Sequence, residues 1–551
     1  MKGELVAQVL IVGGGPVGLA LAMDLAQRGV DVLVVETRHR GEPPSVKCNH
    51  VSARTMEIFR QLGVAQAMRD AGLPGDYPND VAYRTTYTGI ELSRIPIPSR
   101  NTRYTATGGP DTWWPTPEPP HRINQIYLEP VLFEHAALTA NVRILNRTRL
   151  DDFIQDGKGV TAVATELDTE HKLTIRVDYL IGCDGGKSNV RRKIGAKLIG
   201  DEVLGRVQST YLRAPDLYTR AKHPPAWATF SINPRRSGNV YAIDGRETFL
   251  IHNYLRSDET EFESVDRDWA IRQILGVGAD FRYEVLSKED WFARRLIADK
   301  FRERRVFICG DASHLWVPMA GYGMNAGIAD AMNLSWTLAA CIQGWGTEAL
   351  LGAFEAERQP ITEQVSRFAM NHALALQRER EGCPEGIEQQ GADGEAARAA
   401  VGQAMYELNV RQYCCGGLNF GYFYDRSPFI AYDGTPHPGY TIDQFTPSTV
   451  PGCRTPHVWL DDGRSLYDAV GPWFTLLRFD QNIPTEPLEQ AAARRGVPLE
   501  VLDVKSSEAK GLYRHALVLS RPDQHVAWRG LRCPADSLGL IDLVRGAAMS
   551  A

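Results

Sequence analysis

Apolar residues near the start of the chain fall into two short continuous blocks flanking a helical segment. Residues 9–12, Val-Leu-Ile-Val, have the form of a strand buried on both faces, and 30–35 predict a second strand of the same kind. Between them, residues 16–28 carry helical spacing. Two further continuous blocks, at 179–183 and 305–309, predict more buried strands. Alternation from 142 to 179 predicts short half-buried strands. The runs 227–232, 239–243 and 248–254 predict a mostly antiparallel sheet inserted into the first unit. Helices are expected at 52–68 (capped by Ser52), 127–138, 325–342 and 348–378. Residues 70–120, irregular and rich in Pro, Gly and aromatics, read either as a surface excursion or as a cover over a pocket. The polar, Gly-rich stretch 380–400 reads as a loop, and 425–455 as a boundary. Beyond 459, strand and helix runs alternate, which predicts a small α/β unit.

The turn between the first strand and helix carries chemistry. Gly13, Gly15 and Gly18 give the spacing G-x-G-x-x-G, with Pro16 opening the helix. Gly13 permits a tight turn, Gly15 admits a pyrophosphate close to the backbone, and Gly18 lets helix and strand pack closely. The helix N-terminus aims free N–H groups at that phosphate. Glu36 ends the second strand, where a carboxylate accepts from a ribose diol and repels a 2′-phosphate. The expected ligand is the adenosine half of FAD or NAD.

Composition narrows the class without changing it. The chain has 551 residues, 43% hydrophobic and 23% charged, with a formal charge of -6. No basic tract suggests nucleic acid, and no stretch is long and apolar enough to span a membrane. The nine cysteines show no C-x-x-C and no metal-ligand spacing. That usage fits a reducing cytoplasm, with no metal site expected.

Two more signatures follow the first in order. Asp184-Gly-Gly-Lys-Ser-Asn-Val-Arg191 has the form DGxxSxxR, and Gly310-Asp311 leads through Pro318 and Gly321 to Gly323-Met324-Asn325. Together the three resemble the FAD-dependent aromatic hydroxylases of the p-hydroxybenzoate hydroxylase and phenol hydroxylase type, over about residues 5–375. The resemblance implies an α/β fold: a Rossmann-type FAD-binding domain with an inserted antiparallel substrate-binding sheet. The string 451–466 resembles the start of that family's thioredoxin-like C-terminal domain. The implied division is 1–400 for the FAD domain, with insertions at about 70–120 and 200–295, then a connecting region 401–450 and the terminal domain 451–551. In relatives the terminal domain packs on the body or on a second subunit, so a homodimer is one implied arrangement.

The resemblance also assigns roles. Asp311 would accept a ribitol hydroxyl of FAD. Pro318, Gly321, Gly323, Met324 and Asn325 would line the flavin ring, with the helix dipole at its N1–C2=O edge. Asp184 would lie near the pyrophosphate and nicotinamide groove. Arg54, in R-T-x-E, and Gln125, in R-x-x-Q, would contact FAD. The implied activity is monooxygenation of a small phenolic or related aromatic substrate. NADH or NADPH would reduce the flavin, and O2 would form a C4a-hydroperoxide. Two alternatives are an FAD oxidoreductase that inserts no oxygen and a flavin-binding regulatory protein without turnover. Phenol hydroxylases carry an Asp five residues before the Arg of R-T-x-E; here that residue is Asn49, which takes no proton. His50, beside it, is the expected base. His252 and Tyr241 stand in reserve, and His314 reads as structural.

Overall fold

The computed structural model describes residues 4–47, 49–317 and 321–548. The block Val9–Val12 lies inside a six-stranded sheet. Its order is Arg302–Glu303, Val306–Ile308, Tyr179–Gly182, Val9–Val12, Val32–Val35 and Val142–Leu145. Every pairing is parallel except that of the edge strand Arg302–Glu303. Parallel strands need crossovers that place helices on the sheet faces, so the inner strands Val306–Ile308, Tyr179–Gly182, Val9–Val12 and Val32–Val35 are apolar on both sides. Helix Pro16–Gln27 buries Leu19, Leu21, Met23 and Leu25, and helix Tyr322–Ile342 buries Ile328, Leu334 and Leu338 in the same core.

The inserted sheet has eight strands, ordered His314–Trp316, Glu284–Ala298, Leu198–Arg213, Thr248–Tyr254, Gly238–Ala242, Ala228–Ser231, Val81–Arg84 and Glu91–Ile95. Its two long strands pair from Leu198 opposite Ala298 to Arg213 opposite Glu284. The edge strand His314–Trp316 follows the Asp311 loop directly and pairs with Arg295–Ile297. The sheet therefore starts at the flavin-loop motif and carries its far strands away from it.

Three local expectations change. The helix expected at 52–68 is two, Ala53–Gln61 and Ala65–Asp70, separated at Gly63 by its positive φ of 80°. The stretch 70–120 contributes two strands to the inserted sheet. In its remainder, Trp114 packs against Ala53 and Phe420. The loop expected at 380–400 gives way to a helix, Ala392–Tyr413. That helix buries Gly394, Gly402, Met405, Asn409, Gln412 and Tyr413, a face with too few apolar residues to announce itself by periodicity.

The C-terminal sheet is ordered Leu499–Asp503, Phe474–Arg478, Leu517–Ser520 and Val526–Gly530, with only the first pair parallel. Helices Glu486–Arg495 and Ser537–Val544 pack in a core that also holds Trp336 from the helix Tyr322–Ile342. Buried ion pairs dock this sheet on its own chain. Arg454 reaches Glu57, and Arg521 reaches Glu357 with two hydrogen bonds of 2.6 and 2.7 Å. Among the described residues no helix is long and apolar enough to cross a membrane.

Candidate active site

The nucleotide end is built by the first glycine turn. Gly13 has φ of 109°, and a Cβ there would lie 2.4 Å from the carbonyl oxygen of Cys183 on the neighbouring strand. Gly15 caps helix Pro16–Gln27 in ordinary extended conformation, and a Cβ on it would meet nothing within 4 Å. The turn therefore leaves space in front of a helix N-terminus that has no side-chain cap. A cavity of about 360 Å3 opens there, walled by Gly13, Gly15, Glu36, Arg38, Asp184 and Lys187. This open cradle of N–H groups fits a pyrophosphate.

Glu36 is buried and accepts from the backbone N–H of Gly14 at 2.8 Å and of Arg38 at 2.9 Å. Burial opposes its ionisation, but hydrogen bonds and charge from Arg38 outweigh it and hold the carboxyl below its ordinary value. Arg38 also pairs with Glu129, which in turn accepts from Gln125. Gln125 thus sits one link from the adenosine end. Arg38 was not singled out from sequence, although a cation two residues after the strand-end acid is visible there.

Asp184 walls the same cavity, but its carboxylate is engaged as a cap. It accepts from the N–H groups of Asn189 and Val190 at 2.7 and 3.2 Å, at the start of the helix Asn189–Lys193. Arg191, last in that motif, donates to the carbonyl of Ala312 at 3.0 Å. The second signature therefore braces the third.

At the flavin end, Gly310 rests against Val17 of the phosphate helix, where a Cβ would lie 3.1 Å from Cγ2. Asp311 follows. Its carboxylate has no hydrogen-bond partner among the described residues and is open to solvent, in a recess deep enough that surrounding protein raises its pKa; His314 and Lys47 partly offset this. An unpartnered acid beside the phosphate helix fits a polyhydroxylated chain running on from the pyrophosphate. Pro318 lies outside the described residues. Gly321, at φ of 67°, starts helix Tyr322–Ile342 without a side-chain cap, leaving first-turn N–H groups for the flavin edge. Gly323 stands in that turn with only Trp316 nearby, and Met324 packs on the core. Asn325 acts as a brace: it donates to the carbonyls of Gly321 and His50, at 2.6 and 3.1 Å, and accepts from the N–H of Ser52 at 2.8 Å. His314 is buried against Asp330 at 2.7 Å and stacks on Trp316, which is a structural setting.

Two residues assigned from the sequence make contacts that the sequence did not suggest. Arg54 turns to the C-terminal sheet, donating to the carbonyl of Asp523 at 2.9 Å, to Gln524 and to Glu57. Its guanidinium serves the domain contact, and the residue also lines a recess with Trp316, Tyr322 and Asn325 of the flavin loop. His50 does lie at the flavin loop, where a Cβ on Gly321 would come within 2.9 Å of its own Cβ. However, its Nδ1 meets Nη1 of Arg122. Arginine only donates, so Nδ1 of the neutral ring accepts and the hydrogen sits on Nε2. Adding a second proton would set an imidazolium against a guanidinium. The contact places a cation, not an acid, on the ring expected to act as base.

A second cavity, of about 270 Å3, lies between the flavin loop and the inserted sheet. His50, Trp316 and Gly321 form one side; Trp227, Tyr241 and His252 are among the residues opposite. A neighbouring cavity of about 390 Å3 shares Tyr254 and Trp291 with it. Burial, with the charge of Arg380, pushes His252 down to about 3, and burial raises Tyr241 well above its ordinary value. Neither reserve candidate holds a proton-accepting form of useful strength near neutral pH. The cation Arg122, named in the sequence only as the first residue of R-x-x-Q, lies behind the cavity wall against Trp227 and Tyr413.

Comparison with known proteins bears on this geometry. A family model described as FAD binding domain matches residues 6–369, and one described as aromatic-ring hydroxylase, C-terminal, matches 448–544. The chain is 30% identical to FAD-dependent monooxygenase apdD of Emericella nidulans, over 95% of this chain and 87% of that one. It is 27% identical to phenol 2-monooxygenase of Pseudomonas sp., over 98% and 92%. The structure of the rebeccamycin biosynthetic enzyme RebC with reduced flavin superposes with a TM-score of 0.89 at 36% identity, covering 99% of this chain and all of that one. These relatives favour monooxygenation over the two alternatives.

Proposed function

The chain belongs to the FAD-dependent aromatic-ring hydroxylases, and on that premise we propose that it inserts one atom of O2 into an electron-rich phenolic ring, with NADH or NADPH as reductant. FAD, when bound, supplies the redox and oxygen chemistry. The protein supplies placement. The observation that carries the reading is the 270 Å3 cavity, because its wall joins the flavin-loop residues His50, Trp316 and Gly321 to aromatic rings of the inserted sheet. Trp227, Phe230, Tyr241 and Trp291 offer a flat apolar substrate ring stacking and edge contacts. Enclosure by these rings excludes water from the reacting carbon. The cavity falls just below the roughly 300–1,000 Å3 of small-molecule sites. The adjoining 390 Å3 leaves room for a fused-ring substrate as well as a single phenol. The phenol named for the Pseudomonas relative supports the same class.

The reading is tested by mixing the FAD-loaded protein with NADH or NADPH and a panel of phenols and fused aromatics in air. At least one compound is expected to raise the rate of nicotinamide oxidation by about tenfold or more, equivalent to about 1.4 kcal/mol in the barrier. A slow rate that no aromatic compound changes would contradict it.

A further inference from the structure

Two thiols meet at the floor of the nucleotide site, and the flavin chemistry uses neither. Strands Tyr179–Gly182 and Val306–Ile308 are parallel neighbours, with Gly182 opposite Ile308. The next residue of each is a cysteine, Cys183 and Cys309, and both are free thiols. The N–H of Cys309 donates to the carbonyl of Gly182 at 3.0 Å, so the pairing continues to that level. Successive side chains alternate between faces, so opposed neighbours share one. The thiol of Cys309 accordingly has that of Cys183 as a hydrogen-bond neighbour. Neighbouring strands lie about 4.8 Å apart. A disulfide spans roughly 4.4–6.8 Å between Cα atoms, so this pair can close with little backbone movement. No other two cysteines among the described residues stand opposite each other on paired strands.

The two thiols differ in access. Cys309 is 1% exposed, and its Sγ reaches the carbonyl of Gly327 at 3.6 Å. Burial, then the Cys183 thiol, push its pKa well above the ordinary thiol value. Cys183 is only partly buried and lines the 360 Å3 cavity beside Gly13 and Asp184. A small solute can therefore reach Cys183, while Cys309 meets only its neighbour. The pair also sits where three parts of the cofactor site converge. Asp184 follows Cys183 directly, and Gly310-Asp311 follows Cys309. The carbonyl oxygen of Cys183 is the atom that a Cβ on Gly13 would strike at 2.4 Å.

We propose that Cys183 and Cys309 form a peroxide-sensitive thiol pair, which closes to a disulfide when FAD is absent and weakens FAD binding when closed. Sulfur of Cys183, as thiolate, attacks one oxygen of hydrogen peroxide. The O–O bond breaks, and the departing hydroxide takes a proton to become water. Sulfur of Cys309 then gives up its proton and attacks the sulfenic sulfur. The S–S bond forms, and the second hydroxide leaves as water. Two thiols lose two hydrogens and one peroxide is reduced to two waters. Cys183 is the reacting residue and Cys309 the resolving one. A dithiol reductant reverses the change. FAD in its cavity covers Cys183, so cofactor and disulfide oppose each other. None of this depends on the class of aromatic substrate.

The full-length chain, FAD-free or FAD-loaded, would be exposed to hydrogen peroxide. Remaining thiols would be alkylated and the peptides mapped by mass spectrometry. The FAD-free chain is expected to yield peptides joined through Cys183 and Cys309, lighter by two hydrogens and separated by dithiothreitol. The FAD-loaded chain should form this link about fivefold or more slowly. The cross-linked chain should hold FAD about fivefold or more weakly, the lower end of ordinary coupling between sites. Cys309→Ser should stop at a Cys183 sulfenic acid, trapped by dimedone. Cys183→Ser should leave Cys309 unmodified. Cys183 oxidised beyond sulfenic acid with Cys309 still a thiol overturns the proposal. So does a disulfide from either residue to another cysteine, or oxidation of other thiols while both of these stay reduced. Equal rates with and without FAD, or unchanged FAD affinity in the cross-linked chain, overturn the link to the cofactor site. The map of the parent chain decides the pairing even if a variant fails to fold.

Discussion

Gly15→Val is expected to give a folded protein that no longer holds FAD. The backbone at Gly15 suits any residue, and a Cβ there meets nothing, so the fold loses little. The branched side chain instead occupies the space in front of the helix N-terminus, where the pyrophosphate must approach. Each charge-assisted hydrogen bond lost costs about 1.5–3 kcal/mol. Losing two weakens FAD by about 10²-fold or more. The contrasting variant is Gly13→Ala. Its φ of 109° disfavours any Cβ, and that Cβ would lie 2.4 Å from the Cys183 oxygen. Strain of this kind costs of order 1–3 kcal/mol before the clash is added. Flavin absorbance per protein, with thermal midpoints measured with and without added FAD, separates the two. Gly15→Val should keep the midpoint of FAD-free parent and show no rise with FAD. Gly13→Ala should fall below it. Stoichiometric FAD in purified Gly15→Val would mean that the cradle is not the pyrophosphate site.

The second large effect concerns the docking of the C-terminal sheet. Arg521 lies between two buried carboxylates, Glu357 from the helix Ala353–Glu381 and its near neighbour Asp523. Arg521→Met leaves both acids buried without that cation, at a cost of about 3–5 kcal/mol. Arg521→Lys should not restore the loss, because one ammonium cannot reproduce two-pronged contacts to both acids. In a chain of several cores the transition need not be two-state. The expected result is a new unfolding step at lower urea, read by tryptophan fluorescence, since Trp336 lies beside Arg521. A single transition coincident with the parent's would show that the sheet is held by its apolar core alone. The network also sets an acid limit. Burial opposes ionisation of Asp523, but Arg521 holds its carboxyl far below the ordinary value. A depressed folded pKa gives stability that is present above about pH 4 and lost as pH falls further.

The nucleotide fold was legible because its signals are local. Four continuous apolar residues, a glycine turn and a strand-end acid lie within 9–36, and the structure keeps them adjacent. Asp311 and Gly321 were legible in the same way, each next to a strand or helix boundary. The contacts of Arg54 with Asp523 and Gln524 were not, because a motif gives a residue type and not its direction, and those partners lie more than 450 positions away. The helix Ala392–Tyr413 escaped because only Met405 and Tyr413 of its buried face are large and apolar, the rest being glycine and amide side chains.

The central claim is that oxygen from O2 enters the aromatic product, and isotopic labelling tests it most directly. FAD-loaded protein, NADH or NADPH and a stimulating aromatic compound would be incubated under 18O2 in unlabelled water, and the product analysed by mass spectrometry. One 18O atom per hydroxyl introduced is the predicted result. An oxidised or reduced product without label, or one labelled only when the 18O is supplied as water, would contradict monooxygenation.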